Sequence, residues 1–550
     1  MSTGWSNSSY RHTEMTLTES YFPAQAEDVE LLDSTCGGAL RDAVAAVPDR
    51  IALIEGIPDA SSRRRWTYAE LLRDSEQAAR ALLTRFQPGD HVAVWAANCP
   101  EWVILQFGLS LAGMVLVTVN PAYRSAELKY VLEQSRAKGV LYQENYRGVS
   151  MADVVTEVSA ELPELEHRIV FDDLPDFFAS ADANVELPTV ECNDPVMIQY
   201  TSGTTGFPKG AHLHHHGVTN NSRIVALTRG AGTGTVDISA MPLFHTGGCV
   251  VSVLGTLQTH GTLILVSEFE PNLFLDLVEK ERVQYTLCVP TMLIALLEAM
   301  AGNRRDMSSM EAVISGGATV PVELVNRIEA EMGVQFSIVF GQTECSPLIT
   351  MVRLDDVAKD KSESLGRALP HTEVKIIDPE TGATLPVGQT GELCTRGYLV
   401  MNGYFEMPEA TARTIDEDRW LHTGDLCSMD DRGYCYVEGR LKEMIICGGE
   451  NIYPREIEEL LFNHPAVAEV AVVGIPDERW GEQVAAFLRP AEGKVCSADQ
   501  LHDFMREHLA PHKTPKIWVS VDQFPMTLSG KIQKFQLAKM FANGELKPNI

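Results

Sequence analysis

No Cys-x-x-Cys pair occurs among the eleven cysteines, which are scattered from Cys36 to Cys496. That spacing suggests neither a zinc site nor a disulfide framework, and it fits a reduced compartment. No apolar run approaches the roughly 20 residues of a membrane-spanning helix, so any membrane contact is expected to be peripheral. The opening MSTGWSNSSYRHTEMTLTES lacks the apolar core of a secretory signal. It holds one Arg and two Glu where a mitochondrial presequence is Arg-rich and acid-poor, so it reads as a flexible start and a cytoplasmic location is expected. Basic residues are in deficit: 45 Lys and Arg against 75 Asp and Glu leave a formal net charge of -30. Such a chain is not built to meet nucleic-acid phosphates non-specifically, and no nucleic-acid partner is expected. Repeats at solenoid or propeller spacing and low-complexity tracts are missing too. What remains is an ordinary globular composition, 45% hydrophobic and 22% charged, in a chain of 550 residues. That length exceeds one core and suggests about three or four structural units.

From Ile51 onward apolar strand-like runs alternate with amphipathic helical ones, the pattern of a mostly parallel sheet covered by helices. Thr67 opens a helix whose Tyr68, Leu71, Leu72, Ala78, Ala79 and Leu82 fall near helical spacing, and Pro88-Gly89-Asp90 turns the chain into a strand from His91 to Trp95. The cycle continues with a helix from Pro100 to about Ala112, a strand from Met114 to Val119, a helix from Ser125 to Gln134 and a strand from Gly139 to Tyr142. The acidic, proline-containing stretch from Asp172 to Asp194 reads as a connector. Strands at Asp237 to Met241 and Leu263 to Val266, with helices at Pro271 to Lys280 and Pro290 to Ala301, predict a second parallel sheet. From Thr372 to Tyr436 short strands between Gly/Pro turns predict a small β-rich subdomain. Mixed α/β resumes after Gly439-Arg440, with a helix from Pro454 to Phe462 and a strand from Glu469 to Val473. The expected fold class is thus α/β: a large N-terminal domain, 1–438, of two parallel-type sheets plus the β-rich subdomain, and a small α+β C-terminal domain, 439–550.

The chain is organised around Tyr200 to Gly210, YTSGTTGFPKG, entered from Val196-Met197-Ile198 and left through Ala211-His212-Leu213. Thr201, Ser202, Thr204 and Thr205 supply rotatable hydroxyl donors, while Gly203, Gly206 and Gly210 let backbone N–H groups converge on an anion. Lys209 adds charge, and the whole suits phosphate oxygens. A Walker A loop needs Ser or Thr after its lysine, and Lys209 lies between Pro208 and Gly210. An unliganded Gly/Thr-rich turn is the bland alternative.

Six further runs invite chemistry. His245, in Pro242-Leu243-Phe244-His245, closes a strand, where α/β sheets place ligands, though a satisfied core histidine reads equally well. Ser315-Gly316-Gly317-Ala318 follows the strand Ala312 to Ile314, so either something flat approaches the backbone there or the pair only makes a tight turn. Phe340-Gly341-Gln342-Thr343-Glu344 follows the strand Phe336 to Val339 and sets a carboxylate beside a hydroxyl, as a phosphate-bridging magnesium ion needs. Asp425, in Trp420-Leu421-His422-Thr423-Gly424-Asp425-Leu426, can accept from both hydroxyls of a ribose, or it lies on a surface turn. Lys442 and Lys531, in Arg440-Leu441-Lys442-Glu443 and Ser529-Gly530-Lys531, look by themselves like solvated lysines. His214-His215-His216 is a distractor, because consecutive histidines point in different directions and cannot form the ligand face of an i, i+4 pair.

Taken together and in order, these runs resemble the acyl-adenylate-forming superfamily of AMP-binding enzymes, which includes acyl-CoA synthetases, firefly-type luciferases and peptide-synthetase adenylation domains. The resemblance covers nearly the whole chain, and the phosphate loop is its most specific motif. It implies an ATP or AMP site of Thr201, Ser202, Gly203, Thr204, Thr205, Gly206, Lys209, Gly316, Gly317, Ala318, Gly341, Gln342, Thr343, Asp425 and Arg440. Catalytic roles fall on Lys531, Glu344, Thr343 and His245, with magnesium at Glu344 and Thr204. The acyl pocket is implied to take in Phe244, His245, Thr246, Gly247, Gly248 and Ser315. Lys442 corresponds to the hinge about which the C-terminal domain rotates, and Gly448, Gly449 and Glu450 to the channel for the CoA thiol. Many relatives have Tyr where Phe340 stands, so only fine positioning differs there.

The expected reaction is two-step: a carboxylic acid and ATP give acyl-AMP and pyrophosphate, and CoA then takes the acyl group. Asn120-Pro121-Ala122-Tyr123-Arg124 and Ala97-Asn98-Cys99-Pro100-Glu101-Trp102 resemble bacterial fatty-acyl-CoA synthetases of the medium-chain branch. Ligases for aryl, short-chain or sulfur-containing acids, a luciferase-like oxygenase and a carrier-protein-loading enzyme share the motifs. A non-enzymatic binding protein fits least, since Lys531, Glu344 and Asp425 are all present. A homodimer is compatible with the sequence.

Overall fold

The computed structural model describes residues 16–27, 29–201, 208–318, 320–447, 450–477, 479–491, 493–494, 497–526 and 532–550. Thr67 ends the edge strand Arg65–Thr67 and caps the helix Tyr68–Leu82: its hydroxyl accepts from the Glu70 amide while the Glu70 carboxylate accepts from the Thr67 amide, a reciprocal capping box. That helix and Pro100–Leu111, which begins on its proline, cover a sheet whose strands Val115–Val119 and His91–Trp95 are buried on both faces. The sheet has seven strands in the spatial order Gly403–Tyr404, Lys209–His214, Pro195–Thr201, Val115–Val119, His91–Trp95, Gly139–Tyr142 and His167–Val170. The five from Pro195–Thr201 onward are parallel, and Lys209–His214 returns antiparallel from the phosphate loop.

A nine-stranded sheet holds the second parallel set, with Gln335–Gly341, Ala312–Gly316, Tyr285–Cys288, Val236–Ser239, Thr262–Val266 and Ile51–Gly56 side by side. The β-rich unit is an antiparallel five-stranded sheet ordered Tyr21–Phe22, Thr372–Ile377, Gly391–Gly397, Leu421–Met429 and Cys435–Arg440. A fourth sheet in the C-terminal part is built on the long hairpin Val467–Asp477 and Gly481–Pro490, with Ile517–Ser520 parallel to its second strand. No helix among the described residues is long and apolar enough to cross a membrane.

Two expectations need correction. Residues 16–20 are tied down: the Leu17 amide donates to Asp431 O at 2.8 Å, the amide of buried Ser20 to Leu385 O at 2.7 Å, and Tyr21–Phe22 extends the β-rich sheet. The anchor is Phe22, whose ring fills the space over Gly433, where a Cβ would lie 2.3 Å from it. Within the stretch from Asp172 to Asp194, Leu174–Ala179 is a helix with proline in its first turn. Six residues are too few for a helical period to show in the sequence.

His212, on the strand leaving the phosphate loop, and His215, at the start of the next helix, are kept neutral by burial, which pushes both imidazoles down to about 4. Unfolded, each takes up a proton near pH 6.5. Because the unfolded chain binds more protons between these values, stability falls as pH drops from about 6.5 to 4, by up to about 3 kcal/mol per residue. Thermal unfolding followed across that window is expected to lose much of its pH slope in the His212→Gln and His215→Gln variants.

Candidate active site

The parallel strands Pro195–Thr201 and Gln335–Gly341 bring the phosphate loop and Thr343–Glu344 to their carboxyl ends, where open α/β sheets bind ligands, and the antiparallel β-rich sheet supplies Asp425 and Arg440. Pro195–Thr201 and Lys209–His214 close the base of the phosphate loop through the Thr201–Lys209 pair, and Tyr130 braces it by donating to Pro208 O at 2.9 Å. Ser202, Gly203, Thr204, Thr205 and Gly206 lie outside the described residues. Lys209 places its ammonium 4.7 Å above the Tyr404 ring, and the Tyr404 hydroxyl donates to Glu344 Oε1 at 2.7 Å. Burial, then repulsion from Lys442 and Arg413, holds the Lys209 ammonium below the ordinary lysine range, with Glu344 opposing them.

Glu344 and Thr343 are buried in a short 3₁₀ turn, Thr343–Cys345, directly after the strand Gln335–Gly341 and Gln342. The Glu344 carbonyl accepts from the Met401 amide at 3.0 Å, which fixes the turn against the segment carrying Tyr404. Asp425 and Arg440 are direct cross-strand partners, with Arg440 Nε donating to Asp425 Oδ1 at 3.0 Å. The Asp425 carboxylate is buried, the Arg440 guanidinium about half exposed. The field of Asp425, helped by Glu443 and Glu344, holds the guanidinium above its ordinary range against its partial desolvation. Lys209, Glu344, Asp425 and Arg440, drawn from a span of more than 200 residues, thus face one another.

The glycines serve partly for another reason than the one expected. A Cβ on Gly316 would lie 2.3 Å from Val339 O, so the neighbouring strand demands glycine there; Gly317, at φ 77°, and Ala318 are the exposed members of the turn. Phe244 and His245 are half-buried, and His245 Nδ1 accepts from the Gly247 amide at 3.1 Å. Gly247–Leu254 forms a π-helix, a geometry frequent at functional sites. The hydroxyls of Thr246 and Ser315 are both buried and have no hydrogen-bond partner among the described residues.

Lys442 is exposed in a turn closed by the Glu443 and Met444 amides on Arg440 O. Glu450 pairs with Cys447 across a hairpin, while Gly448 and Gly449 lie outside the described residues. Lys531 is outside them too; Met526 and Ile532 bridge at the base of its segment. The first residue of the following helix, Lys534, ion-pairs with Glu443 at 3.1 Å and Glu458 at 2.8 Å, so that segment is tied to the turn of Lys442. His214, His215 and His216 diverge as expected: His214 Nδ1 caps a helix at Gly217 N, His215 Nδ1 accepts from Cys36 N, and the His216 ring lies by Tyr398.

Three residues escaped the sequence reading. Tyr404 lies 60 residues from Glu344 and carries no motif. Lys534 looks like any terminal lysine. Trp480 could have been noticed as a tryptophan in a charged turn: its indole is 38% exposed, with Arg479 4.9 Å and Lys516 5.1 Å from the ring.

The chain matches the AMP-binding enzyme family over residues 40–405 and its C-terminal domain over 456–531. It is 41% identical over 537 residues to YngI of Bacillus subtilis (strain 168), described as an acyl-CoA synthetase, covering 92% of this chain and 97% of that protein. Against the mitochondrial medium-chain acyl-CoA ligase ACSF2 of Mus musculus it is 34% identical over 550 residues, covering 93% and 88%. Crystalline MatB from Rhodopseudomonas palustris with ATP bound aligns with a TM-score of 0.85 at 30% identity, covering 93% of this chain and 99% of that one. The apo form of MatB aligns at 0.75 over the same share. The chain belongs to the AMP-binding enzyme family, among the members that resemble acyl-CoA synthetases.

Proposed function

We propose that the protein is an ATP-dependent, AMP-forming acyl-CoA ligase whose acid is most simply a medium-chain fatty acid. The observation that carries this reading is the convergence of Lys209 and Glu344, linked through Tyr404, with the Asp425–Arg440 pair. Asp425 holds the ribose hydroxyls, Arg440 orients Asp425 and meets ribose or phosphate, and Thr343 donates to the α-phosphate. Thr201 and Lys209, with Ser202, Gly203, Thr204, Thr205 and Gly206, steer the β- and γ-phosphates, and Gly317 and Ala318 flank the adenine. The acid carboxylate attacks the α-phosphorus, pyrophosphate leaves, and the ammonium of Lys531 stabilises the charge that develops. A turn of residues 439–550 about Lys442 then brings Gly448, Gly449 and Glu450 to the acyl-AMP, where the CoA thiol attacks the carbonyl and AMP departs.

Glu344 is a buried carboxylate with one oxygen on Tyr404 and cations on either side, a hard-oxygen donor set that fits magnesium together with Thr204. Magnesium held there would neutralise charge between the phosphates. The Tyr404→Phe variant keeps the ring under Lys209 but removes the bond to Glu344. An expected cost of about 1 to 2 kcal/mol appears as a roughly 5- to 30-fold loss of kcat/KM for pyrophosphate release.

Trp480 and its flanking cations adjoin the CoA loop, since Gly481 pairs with Cys447. An exposed indole between Arg479 and Lys516 suits the adenine and phosphates of CoA. Trp480→Ala is expected to raise KM for CoA roughly 10-fold, in line with an aromatic contact of about 1.5 kcal/mol, with the carboxylate-dependent ATP–pyrophosphate exchange rate unchanged.

The unpartnered hydroxyls of Thr246 and Ser315 favour one second reading, an acid with a polar or sulfur-containing tail able to use them. Pyrophosphate release and CoA-ester formation across a panel of fatty, aryl and polar short acids separate the two readings. No carboxylate-dependent pyrophosphate release with any acid overturns both, and acyl-AMP made without CoA ester points to oxygenase or carrier-protein chemistry.

A further inference from the structure

The β-rich sheet carries a second cluster of ligating side chains that the adenylation chemistry does not use. Cys394 and His422 are direct cross-strand partners, and an irregularity in the pairing between Glu392 and Cys394 turns the Glu392 carboxylate onto the same imidazole. His422 Nδ1 lies 2.9 Å from Glu392 Oε2 and 3.5 Å from Cys394 Sγ, and the three ligand atoms all fall within 4.8 Å of one another. Bond lengths of about 2.3 Å to sulfur and 2.0 Å to nitrogen around a tetrahedral ion put those two ligand atoms about 3.5 Å apart. The N···S separation therefore already has the required length, and the N···O contact needs to open by only a few tenths of an ångström.

The surroundings match a metal site as well. A ligating histidine usually presents its other ring nitrogen to a carboxylate, and His422 Nε2 faces Asp416 Oδ2 at 3.9 Å. The second Glu392 oxygen is pinned by the Gly424 amide at 3.0 Å. Cys394 and Glu392 are buried and His422 is half-buried, which leaves one side open for a water as fourth ligand. Among the described residues this is the one group of His, Cys and acidic side chains so arranged. The charge opposing a cation is Lys375, whose ammonium lies 4.2 Å from the Trp420 ring and acts on both His422 and Cys394.

We propose that Glu392, Cys394 and His422 form a binding site for one zinc-class divalent cation, distinct from the magnesium site at Glu344. Sulfur, nitrogen and oxygen donors select zinc over magnesium, which takes oxygen alone. On binding, the cation replaces the Cys394 thiol proton, which passes to solvent, and Nδ1 of the neutral His422 imidazole donates its lone pair. The ring keeps its Nε2 proton toward Asp416. Because Glu392 also holds the Gly424 amide, the ion fixes the turn that carries Asp425.

Cobalt(II) titration of the reduced, metal-stripped full chain tests this, read by the sulfur-to-cobalt charge-transfer band and the visible bands of a tetrahedral ion. One equivalent is expected to bind with both signatures, and Cys394→Ser to abolish the charge-transfer band. Asp416→Asn, which touches no ligand bond, is expected to weaken binding roughly 10- to 100-fold with the band retained. His422→Gln, at a half-buried position that the core does not depend on, is expected to weaken it at least as much. No band in the parent protein, a band that survives Cys394→Ser, or unchanged affinity in His422→Gln overturns the proposal.

Discussion

Replacing Lys531 with alanine is expected to cut acyl-AMP formation by roughly 10²- to 10³-fold, the scale of losing one preorganised charge partner of a transition state, while thioester formation from supplied acyl-AMP and CoA falls by less than about 3-fold. The asymmetry follows from the two half-reactions. In the first, negative charge builds on the α-phosphate as pyrophosphate leaves, and the site already contains the negative carboxylates of Glu344 and Asp425. Arg440 is engaged by Asp425 and Lys209 is stacked on Tyr404, so a further ammonium has a specific task. In the second half-reaction the thiol attacks the carbonyl carbon and the electron pair of the broken C–O bond leaves on the AMP phosphate, and in the proposed second pose residues 439–550 have turned so that this charge does not rely on Lys531. On either side of it in the chain, Met526 and Ile532 form a bridge, and Lys534 ties the next helix to Glu443, one residue past Lys442. Lys534→Ala is a useful companion, since loosening the segment should lower adenylation less than removing the ammonium. Equal losses of both half-reactions in Lys531→Ala would remove the assigned role. Single-turnover measurement of each half-reaction decides it.

Much of this architecture was legible because the signals were local. Strands His91–Trp95 and Gly139–Tyr142 and helices Ser125–Gln134 and Pro454–Phe462 begin and end where turn residues, prolines and periodicity place them. The β-rich unit was legible from its turns, but not its edge strand Tyr21–Phe22, because two residues carry no period and are held by Gly433, more than 400 residues away. The helix Leu174–Ala179 was missed for the same shortness. At the candidate site, motif residues adjoining a strand end could be named from sequence. Tyr404 could not, since its role exists only through a hydroxyl meeting Glu344 across the fold. At Gly316 the Val339 carbonyl, 2.3 Å from where a Cβ would stand, requires glycine on packing grounds alone, so the residue type by itself does not report ligand approach. Glu392 and Cys394 carry no recognisable metal spacing, because the cluster is completed by a strand partner about 30 residues later.

The second large effect is expected from Glu344→Gln, which keeps shape and the Tyr404 bond, since an amide oxygen also accepts from the hydroxyl. Only charge and metal-ligand strength change. Two consequences follow from the geometry. The carboxylate that partly offsets the repulsion on Lys209 from Lys442 and Arg413 is gone, so the lysine ammonium is held less firmly in its charged form beside the phosphates. The amide is also a far weaker donor to a hard divalent cation than a carboxylate. Together these are expected to lower kcat/KM for pyrophosphate release roughly 10²- to 10³-fold and to raise the magnesium concentration needed for half-maximal rate. A residue that served only to position Tyr404 would behave differently: the glutamine variant would retain most activity and the parent magnesium dependence, because the bond to Tyr404 survives. Tyr404→Phe supplies the converse control, removing that bond while leaving the charge, and its expected loss is the smaller one, roughly 5- to 30-fold. A magnesium titration of Glu344→Gln beside Tyr404→Phe therefore separates a carboxylate that acts by its charge on the phosphates and their metal from one that acts only through its neighbour.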